Sequence, residues 1–399
     1  MVNPTGYLVT SYGEMITCEP RMSAYAEALR QAITPGCSVI DIGAGSGIFS
    51  LLACQYGAGS VVAIEPDDSV EVLRIAAVTN GFEDRITVVQ GISTDYVGPK
   101  ADVIISDLRG CLPLFEQHIP SIVDARNRLL APGGVMIPAR DQLYAALVHD
   151  PEFYRPCVEP WQRNAFGIDL SDGHRFAVNQ WRKARFTPIE LISVPQHLLQ
   201  LDYASIIDPN VSVELTLTPE APGEAHGFLV WFDAELAPGI GFSNAPGEVE
   251  QVYGQSFFPF EQPIALAASD RIAVKLRANL VEGGYIWSWT SSVWRSDASS
   301  PELTYRQSTF LGRILSPAKL AKRSSSYVPL ASPEIALDRH CMSLFDGQMT
   351  QGEIADALVT AFPVRFSNKV DALTYVTNVA SRYRDADSQS RPQAEDIQP

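Results

Sequence analysis

Three closely spaced glycines are the first residues whose types and spacing suggest chemistry. The apolar run 39–42 leads into Gly43, Gly45 and Gly47, and a helical pattern begins at Ile48. A glycine turn between a strand and a helix lets the backbone approach a bound ligand closely, although any tight turn favours glycine. In dinucleotide-binding proteins the third small residue comes one position later. The GxGxG spacing therefore favours a ligand without a pyrophosphate, contacted through an amino-acid moiety.

An acidic residue ends the next predicted strand. Glu65 follows the apolar run 60–64, at the edge where open α/β sheets bind their cofactors. A carboxylate there can accept hydrogen bonds from both hydroxyls of a ribose, whereas the plain alternative is a solvated loop acid. Together with the glycine turn, Glu65 predicts S-adenosyl-L-methionine rather than NAD. Asp41, within the strand before the turn, is included in this predicted cofactor site.

A second pair of acidic residues brackets a loop. Asp107 directly follows the predicted strand 103–106, and Glu116 comes nine positions later. Two carboxylates so placed can hold a planar guanidinium by paired, charge-assisted hydrogen bonds. The structural alternative is that Asp107 is a cap and Glu116 a surface acid.

The elements that must position these residues follow from the hydrophobic patterns. Short apolar runs alternate with helical patterns in the first part of the chain, which is typical of a parallel sheet covered on both faces. The predicted strands are 38–42, 60–64, 86–90 and 103–106, and the predicted helices are 23–32, 48–56, 69–80 and 118–130. This part is therefore predicted to be α/β.

Beyond residue 140 the pattern changes to short β-rich segments joined by Pro, Gly and Asn. Such segments predict an antiparallel sheet or barrel. They are 143–148, 189–194, 211–217, 227–235, 264–266, 271–276 and 285–290. The predicted domains are 1–140, 141–297, a linker at 298–332, a helical domain at 333–384 and a disordered tail at 385–399.

Composition limits the class of protein. The 399 residues include 46 acidic and 30 basic side chains, for a formal net charge of −16, which disfavours nucleic-acid binding and suits a cationic acceptor. No apolar stretch is long enough for a bilayer, so no membrane partner is expected. The cysteines have no CxxC spacing and the histidines are scattered. We therefore predict a cytoplasmic protein without a metal site.

Several short motifs occur together in the order and spacing of a known family. The sequence from about residue 5 to 295 resembles the protein arginine N-methyltransferases, in a divergent, bacterial-type form. The motifs are Glu14-Met15, Glu19-Pro20-Arg21, Tyr25, the glycine turn, Glu65, the 106–116 loop, Leu130-Ala131-Pro132-Gly133-Gly134 and Ile137-Pro138. The resemblance implies a Rossmann-like S-adenosylmethionine domain with an N-terminal helical cap, then an antiparallel β-barrel, and a homodimer.

The resemblance also assigns roles to individual residues. Met15 would pack near the sulfonium of the cofactor, and Arg21 would pair with its methionine carboxylate. The three glycines would line the path of the cofactor, and Glu65 would bind the ribose hydroxyls. Thr94 stands where the family has an acid for the adenine amino group, and its hydroxyl can still accept one hydrogen bond. Asp107 and Glu116 would clamp the substrate.

Three further positions depart from the family. Asp107 is one methylene shorter than the glutamate expected there. Gln251-Val252-Tyr253 replaces a threonine-histidine-tryptophan signature, so the histidine of the active site is missing and Tyr253 is predicted to contact the substrate. Arg109 replaces a methionine beside the substrate, where a cation would repel a guanidinium unless it turns away or pairs with Asp107 or Glu116.

These departures leave three functions open. The first is transfer of methyl to a guanidino or other nitrogen of a protein or peptide. The second is a small-molecule methyltransferase in which Arg109 binds a carboxylate of the substrate. The third is a catalytically inactive binding protein on the same scaffold.

The C-terminal residues 333–383 lie outside the resemblance. Helical patterns cover 337–344 and 370–383, and Thr350 with Glu353 forms a capping-box signature. The segment faintly resembles the helical part of winged-helix modules that hold leader peptides. The alternative is a helical appendage that packs on the barrel or closes an oligomer.

Overall fold

The computed structural model describes residues 7–296, 298–332 and 334–383. The chain divides into two compact units, Met1–Ile314 and Leu315–Pro399. The predicted disordered tail, 385–399, lies outside the described residues.

The first part of the larger unit is an α/β domain. A five-stranded parallel sheet has the strand order β3-β2-β1-β4-β5. Its elements are α1 (Val9–Thr17), α2 (Glu19–Ala32), β1 (Ser38–Ile42), α3 (Ile48–Gln55), β2 (Ser60–Glu65), α4 (Val70–Thr79), β3 (Ile86–Gln90), β4 (Ala101–Ser106), α5 (His118–Arg128) and β5 (Leu130–Ile137). The predicted parallel α/β fold is thus confirmed.

The central strand determines where a ligand would bind. In β1, Val39 to Ile42 are buried because helices cover both faces of the sheet. Ile42 pairs with Ile64 of β2 on one side and with Ser106 of β4 on the other. The carboxyl ends of three strands therefore meet at one edge, and the glycine turn, Glu65 and Asp107 follow these ends directly.

The second part of this unit contains two antiparallel sheets. The sheet orders are β7-β12-β10-β6-β8, with β11 beside β10, and β15-β14-β13-β9. The elements are β6 (Arg140–Val148), α6 (Pro151–Gln162), α7 (Asp172–Ala177), β7 (Arg182–Ala184), a 3-10 turn (Pro188–Glu190), β8 (Gln196–Asp202), β9 (Val211–Leu217), β10 (Gly223–Ala237), β11 (Ile240–Ser243), β12 (Gln255–Leu266), β13 (Arg271–Val281), β14 (Gly284–Trp294) and β15 (Leu303–Ser308). The predicted antiparallel domain is confirmed.

Two predictions within this domain need correction. The predicted strand 189–194 is a 3-10 turn followed by isolated bridges, because Pro188 and Pro195 interrupt a ladder that needs backbone N–H groups. The predicted linker 298–332 begins too early, since β15 pairs with β14 along its whole length. Gln307 of β15 is buried and donates to the carbonyl of Pro259, 3.0 Å away.

The smaller unit is helical and has its own core. Its helices are α8 (Pro317–Ala321), α9 (Glu334–Ser343), α10 (Gln351–Ala361) and α11 (Lys369–Tyr383). The predicted capping box is confirmed, because the backbone N–H and hydroxyl of Thr350 both donate to Glu353 and the N–H of Glu353 donates back. The described residues of this unit, 315–332 and 334–383, contain no strand that could form the wing of a winged-helix module.

Candidate functional site

The residues predicted for the cofactor and the substrate surround one large cavity at the carboxyl edge of the parallel sheet. Its volume is about 880 Å³, within the range of small-molecule sites. Ten of the predicted residues line it: Met15, Arg21, Gly43, Gly45, Glu65, Thr94, Asp107, Arg109, Glu116 and Tyr253. Two others, Asp41 and Gly47, do not line the cavity.

The glycine turn is shaped by its left-handed backbone. Gly43, Gly45 and Gly47 have φ of 71°, 54° and 83°, a region that side chains other than glycine adopt at a cost. A Cβ atom on Gly47 would lie 2.3 Å from Leu73 of α4, so this glycine packs the turn against the helix. Gly43 and Gly45 line the cavity, and a Cβ atom on them would collide with Leu108 and Tyr12, respectively.

Glu65 is buried and already holds the turn in place. One oxygen of its carboxylate accepts the N–H of Gly45 at 2.8 Å and the other accepts the N–H of Asp67 at 2.9 Å. Burial raises the pKa of Glu65, and these two bonds lower it only in part. Each carboxylate oxygen has a further lone pair, so Glu65 can still accept ribose hydroxyls.

Asp41 lies behind the cavity instead of in its wall. It is fully buried and accepts a 2.7 Å hydrogen bond from the hydroxyl of Ser50, which ties β1 to α3. Burial raises the pKa of Asp41 to about 7. Its predicted contact with the cofactor stays a prediction.

Asp107 is the centre of a buried charge network. One oxygen accepts Nε of Arg21 at 2.7 Å and the hydroxyl of Tyr253 at 2.5 Å, and the other accepts a terminal nitrogen of Arg109 at 3.1 Å. Burial alone would raise the pKa of Asp107, but the two arginines and the phenol outweigh it and lower the pKa. Asp107 is therefore an anion with most of its acceptor positions occupied.

Arg21 connects this network to the N-terminal helices. Its guanidinium donates to the carbonyl of Met15 at 3.2 Å and lies over the rings of Tyr25 and Phe49 at 5.3 and 5.0 Å. The nearby carboxylate of Asp107 keeps its pKa above the ordinary value despite burial. The predicted pairing of Arg21 with the cofactor would share this guanidinium with Asp107.

Arg109 is paired with a residue that sequence reasoning missed. Its Nε and Nη2 atoms each donate to Asp141 at 2.8 Å, and Nη1 donates to the hydroxyl of Tyr25 at 2.6 Å. The side chain is inaccessible to solvent, and so is that of Asp141. The positive charge of Arg109 is thus neutralised within the protein.

Two further residues extend this pair. The phenol of Tyr203 donates to Asp141 and lies 3.0 Å from Nε2 of His118. Burial, and the charge of Arg109, lower the pKa of His118 to about 3, so its ring is neutral. A sequence signal for Asp141 existed, since it lies two positions before Leu143 and four before Ala145, on the same buried face of β6.

Glu116 is exposed at the end of the loop that leads into α5. Its φ is 41°, an uncommon conformation for a residue with a Cβ atom. Partial burial raises the pKa of Tyr7, and the charges of Glu116 and Asp107 raise it further. Both carboxylates therefore act on the same region of the cavity.

Comparison with known proteins decides the family. A family model described as "arginine methyltransferase oligomerization subdomain" matches residues 139–281. A second model, described as "ribosomal protein L11 methyltransferase", matches residues 23–143. An arginine N(omega)-methyltransferase of Streptomyces achromogenes subsp. streptozoticus is 31% identical over 272 residues, which are 66% of this chain and 74% of that protein. The chain belongs to the protein arginine methyltransferase family.

One further relative is similar in sequence, and a solved structure is similar in fold. Protein arginine N-methyltransferase 1 of Dictyostelium discoideum is 27% identical, over 65% of this chain and 78% of its own length. The Trypanosoma brucei PRMT1 enzyme-prozyme complex with AdoHcy shares the fold with a TM-score of 0.68 and 22% identity, over 74% of this chain and 96% of that chain. Among the described residues, no helix combines the length and hydrophobicity that crossing a bilayer requires.

The site fits the cofactor of this family. The chain is an S-adenosylmethionine-dependent methyltransferase. Glu65, a buried carboxylate with spare lone pairs, and the backbone of Gly43 and Gly45 line a cradle suited to an adenosyl amino acid. The cofactor supplies a methyl carbon activated by the adjacent positive sulfur.

Proposed function

We propose that this enzyme methylates a guanidino nitrogen of a protein, peptide or small-molecule acceptor. One observation carries the proposal. Asp107 and Glu116 end the same loop and face the cavity that Glu65 and Gly45 also line. A cationic acceptor at this point would meet two carboxylates next to the cofactor.

The two carboxylates have different roles in this proposal. Asp107 is buried, anionic and held by Arg21 and Tyr253, so it provides a fixed negative charge that orients the acceptor. Glu116 pairs with none of the described side chains and faces the cavity, so its carboxylate is available to bind the guanidinium directly. It is also placed to accept the proton that the methylated nitrogen releases.

The conformation of Glu116 supports this assignment. A left-handed glutamate costs about 1 kcal/mol relative to glycine, and such outliers persist where function needs them. Positioning of the acceptor nitrogen supplies most of the rate enhancement when the methyl group is already activated.

Arg109 has a structural role in this proposal. Because the two-pronged pair with Asp141 neutralises Arg109, its charge does not oppose a guanidinium in the cavity. The alternative in which Arg109 binds a carboxylate of the substrate would require it to leave Asp141, whose buried carboxylate would then have no counterion.

The association state and location are part of the proposal. The matched region 139–281 carries the description of an oligomerization subdomain, and the segment after α6 exposes the apolar residues Phe166, Ile168 and Leu170. These features support a homodimer. All six cysteines are free, which supports a reducing, cytoplasmic location.

The acceptor is tested with the purified chain and methyl-labelled S-adenosylmethionine. The acceptors are an arginine peptide, the same peptide with lysine in place of arginine, and free arginine. We expect label on the arginine peptide or on free arginine, and none on the lysine peptide. The comparison between the first and the third also tests whether the acceptor is macromolecular.

A matched variant tests the site. Glu116→Gln should reduce kcat at least about 100-fold, while calorimetry shows unchanged cofactor affinity. Label on the lysine peptide, or full activity of Glu116→Gln, would contradict the proposed acceptor and the proposed role of Glu116, respectively.

A further inference from the structure

Two histidines and a glutamate come together at a place the methyl-transfer site does not use. His149 directly follows β6, while Glu224 and His226 lie two residues apart on β10. The strands are paired so that Val148 lies opposite Gly227, which brings His149 next to His226. Within the described residues, these three form a cluster whose potential ligand atoms lie within 4.8 Å of one another.

The distances suit a transition metal. Nε2 of His226 lies 3.5 Å from a carboxylate oxygen of Glu224. Two ligand atoms of one tetrahedral zinc ion, each about 2.1 Å from the metal, are roughly 3.4 Å apart. This pair therefore stands at the separation that a shared metal requires, without any movement of the strand.

Hydrogen bonding orients the third ligand. Nδ1 of His149 lies 2.8 Å from the backbone carbonyl of Glu224. A carbonyl can only accept, so Nδ1 carries the proton, and in the neutral ring the lone pair is on Nε2. Histidines that bind metals usually donate their other nitrogen to a carbonyl or carboxylate in this way.

His226 is the buried member of the cluster. Its side chain is only 2% exposed, and its Nδ1 atom has no hydrogen-bond partner among the described residues. The ring packs against that of Tyr154 in α6, with centroids 5.3 Å apart, and against that of His149 at 5.0 Å. His226 therefore offers a buried ring nitrogen that no hydrogen bond from the described residues satisfies.

The surrounding charges permit a dication. Glu224 is half exposed and Asp150 caps the start of α6, where it accepts the N–H of Phe153. Arg155 also acts on this region, but Glu152 and Glu159 lie 3.6 and 3.7 Å from its guanidinium. The cluster opens to solvent on the side of His149 and Glu224, so water can complete the coordination.

We propose that His149, Glu224 and His226 bind one divalent transition-metal ion of the zinc type. Two imidazoles and a carboxylate, with water in the fourth position, are a known ligand set for zinc, and Mg²⁺ and Ca²⁺ prefer all-oxygen sites. None of the three residues lines the methyl-transfer cavity. The ion would join the end of β6 to β10 beneath α6 and stabilise that part of the fold.

The test uses the full-length protein, freed of metal by chelation, and Zn²⁺ alone as the probe. Titration against a chromophoric chelator should show one tight site per chain. His149→Ala and Glu224→Gln alter exposed side chains and should each weaken binding at least about 100-fold, more than the loss of an outer hydrogen-bond partner costs. His197→Ala, which removes an exposed histidine packed on Tyr144, should leave the affinity unchanged.

A second measurement keeps the test independent of folding defects. Excess Zn²⁺ should raise the Tm of the wild type and of His197→Ala, but not that of the two site variants. Full Zn²⁺ affinity in both site variants, or no stoichiometric binding to the wild type, would overturn the proposal. Thiolate-to-metal charge-transfer bands with Co²⁺ would also overturn it, since they would place the ion on a cysteine.

Discussion

Arg109 and Asp141 form a two-pronged ion pair in which each oxygen of the carboxylate accepts one nitrogen of the guanidinium at 2.8 Å. Both side chains are inaccessible to solvent. Arg109 lies in the loop after β4 of the parallel sheet, and Asp141 lies in β6, the first strand of the antiparallel part. The pair therefore joins the α/β part and the antiparallel part of the larger unit, directly beside Asp107.

Removal of one partner should be costly. Arg109→Met leaves Asp141 buried without its counterion, so the free energy of unfolding should fall by about 3–5 kcal/mol. The double variant Arg109→Met/Asp141→Asn should recover much of that loss, as measured by urea unfolding. Arg74→Met, which breaks an exposed pair with Glu71, should cost less than about 1 kcal/mol. Strictly additive losses at positions 109 and 141 would show that the pair is not coupled.

Replacement of Glu116 by glycine should raise stability but lower activity. Glu116→Gly removes a left-handed Cβ atom and should raise the free energy of unfolding by about 1 kcal/mol while reducing kcat at least about 100-fold. Glu282 is the matched control, because it is exposed, has φ of 49° and does not line the cavity. Glu282→Gly should gain similar stability and keep its activity. Equal activity losses in the two variants would show that backbone conformation, not the carboxylate of Glu116, is what matters.

The phenol of Tyr253 should control the ionisation of Asp107. The pKa of Asp107 is below its ordinary value in part because Tyr253 donates to it. Tyr253→Phe should raise that pKa and move the acid limb of the kcat/KM profile to higher pH, with a stability loss of about 1–3 kcal/mol. Tyr203→Phe removes a similar buried hydroxyl from Asp141 and should lose stability without shifting the limb. An unshifted limb in Tyr253→Phe would count against an ionised Asp107 as the acid that the profile reports.

Asp41 should make stability depend on pH. Its pKa is raised from the ordinary 3.8 to about 7, so between these values the unfolded chain releases a proton that the folded chain retains. This group therefore lowers stability as pH rises from about 4 to about 7. Asp41→Asn should raise Tm at pH 8 and have little effect near pH 4. Asp102→Asn should show the opposite sign at pH 8, because bonds from Ser38 lower the pKa of Asp102. A gain for Asp41→Asn that is the same at both pH values would argue against this titration.

Local patterns accounted for much of the fold. The predicted strands at 38–42, 86–90 and 211–217 have the observed bounds. A continuous or alternating pattern of apolar residues indicates which side chains are buried, so these strands can be predicted from residues that are adjacent in the sequence. By contrast, α6 with Pro156 and Pro160 inside it, and β15 with its polar residues, were missed. Tertiary packing overrides local preference at such elements.

The sequence by itself determined the kind of molecule. The glycine turn, Glu65 and Asp107 directly follow strand ends, which the topology brings to one edge, and Glu116 lies at the other end of the loop that Asp107 begins. The tertiary structure alone decided which charges meet. Arg109 finds Asp141 across 32 positions, Arg21 finds Asp107 across 86, and His149 reaches Glu224 across 75. Ion pairs form between side chains that are close in space, and the linear sequence does not give those distances. The sequence therefore left open whether Arg109 is paired, and the tertiary structure pairs it with Asp107, as one alternative had it, and with Asp141, which no alternative named.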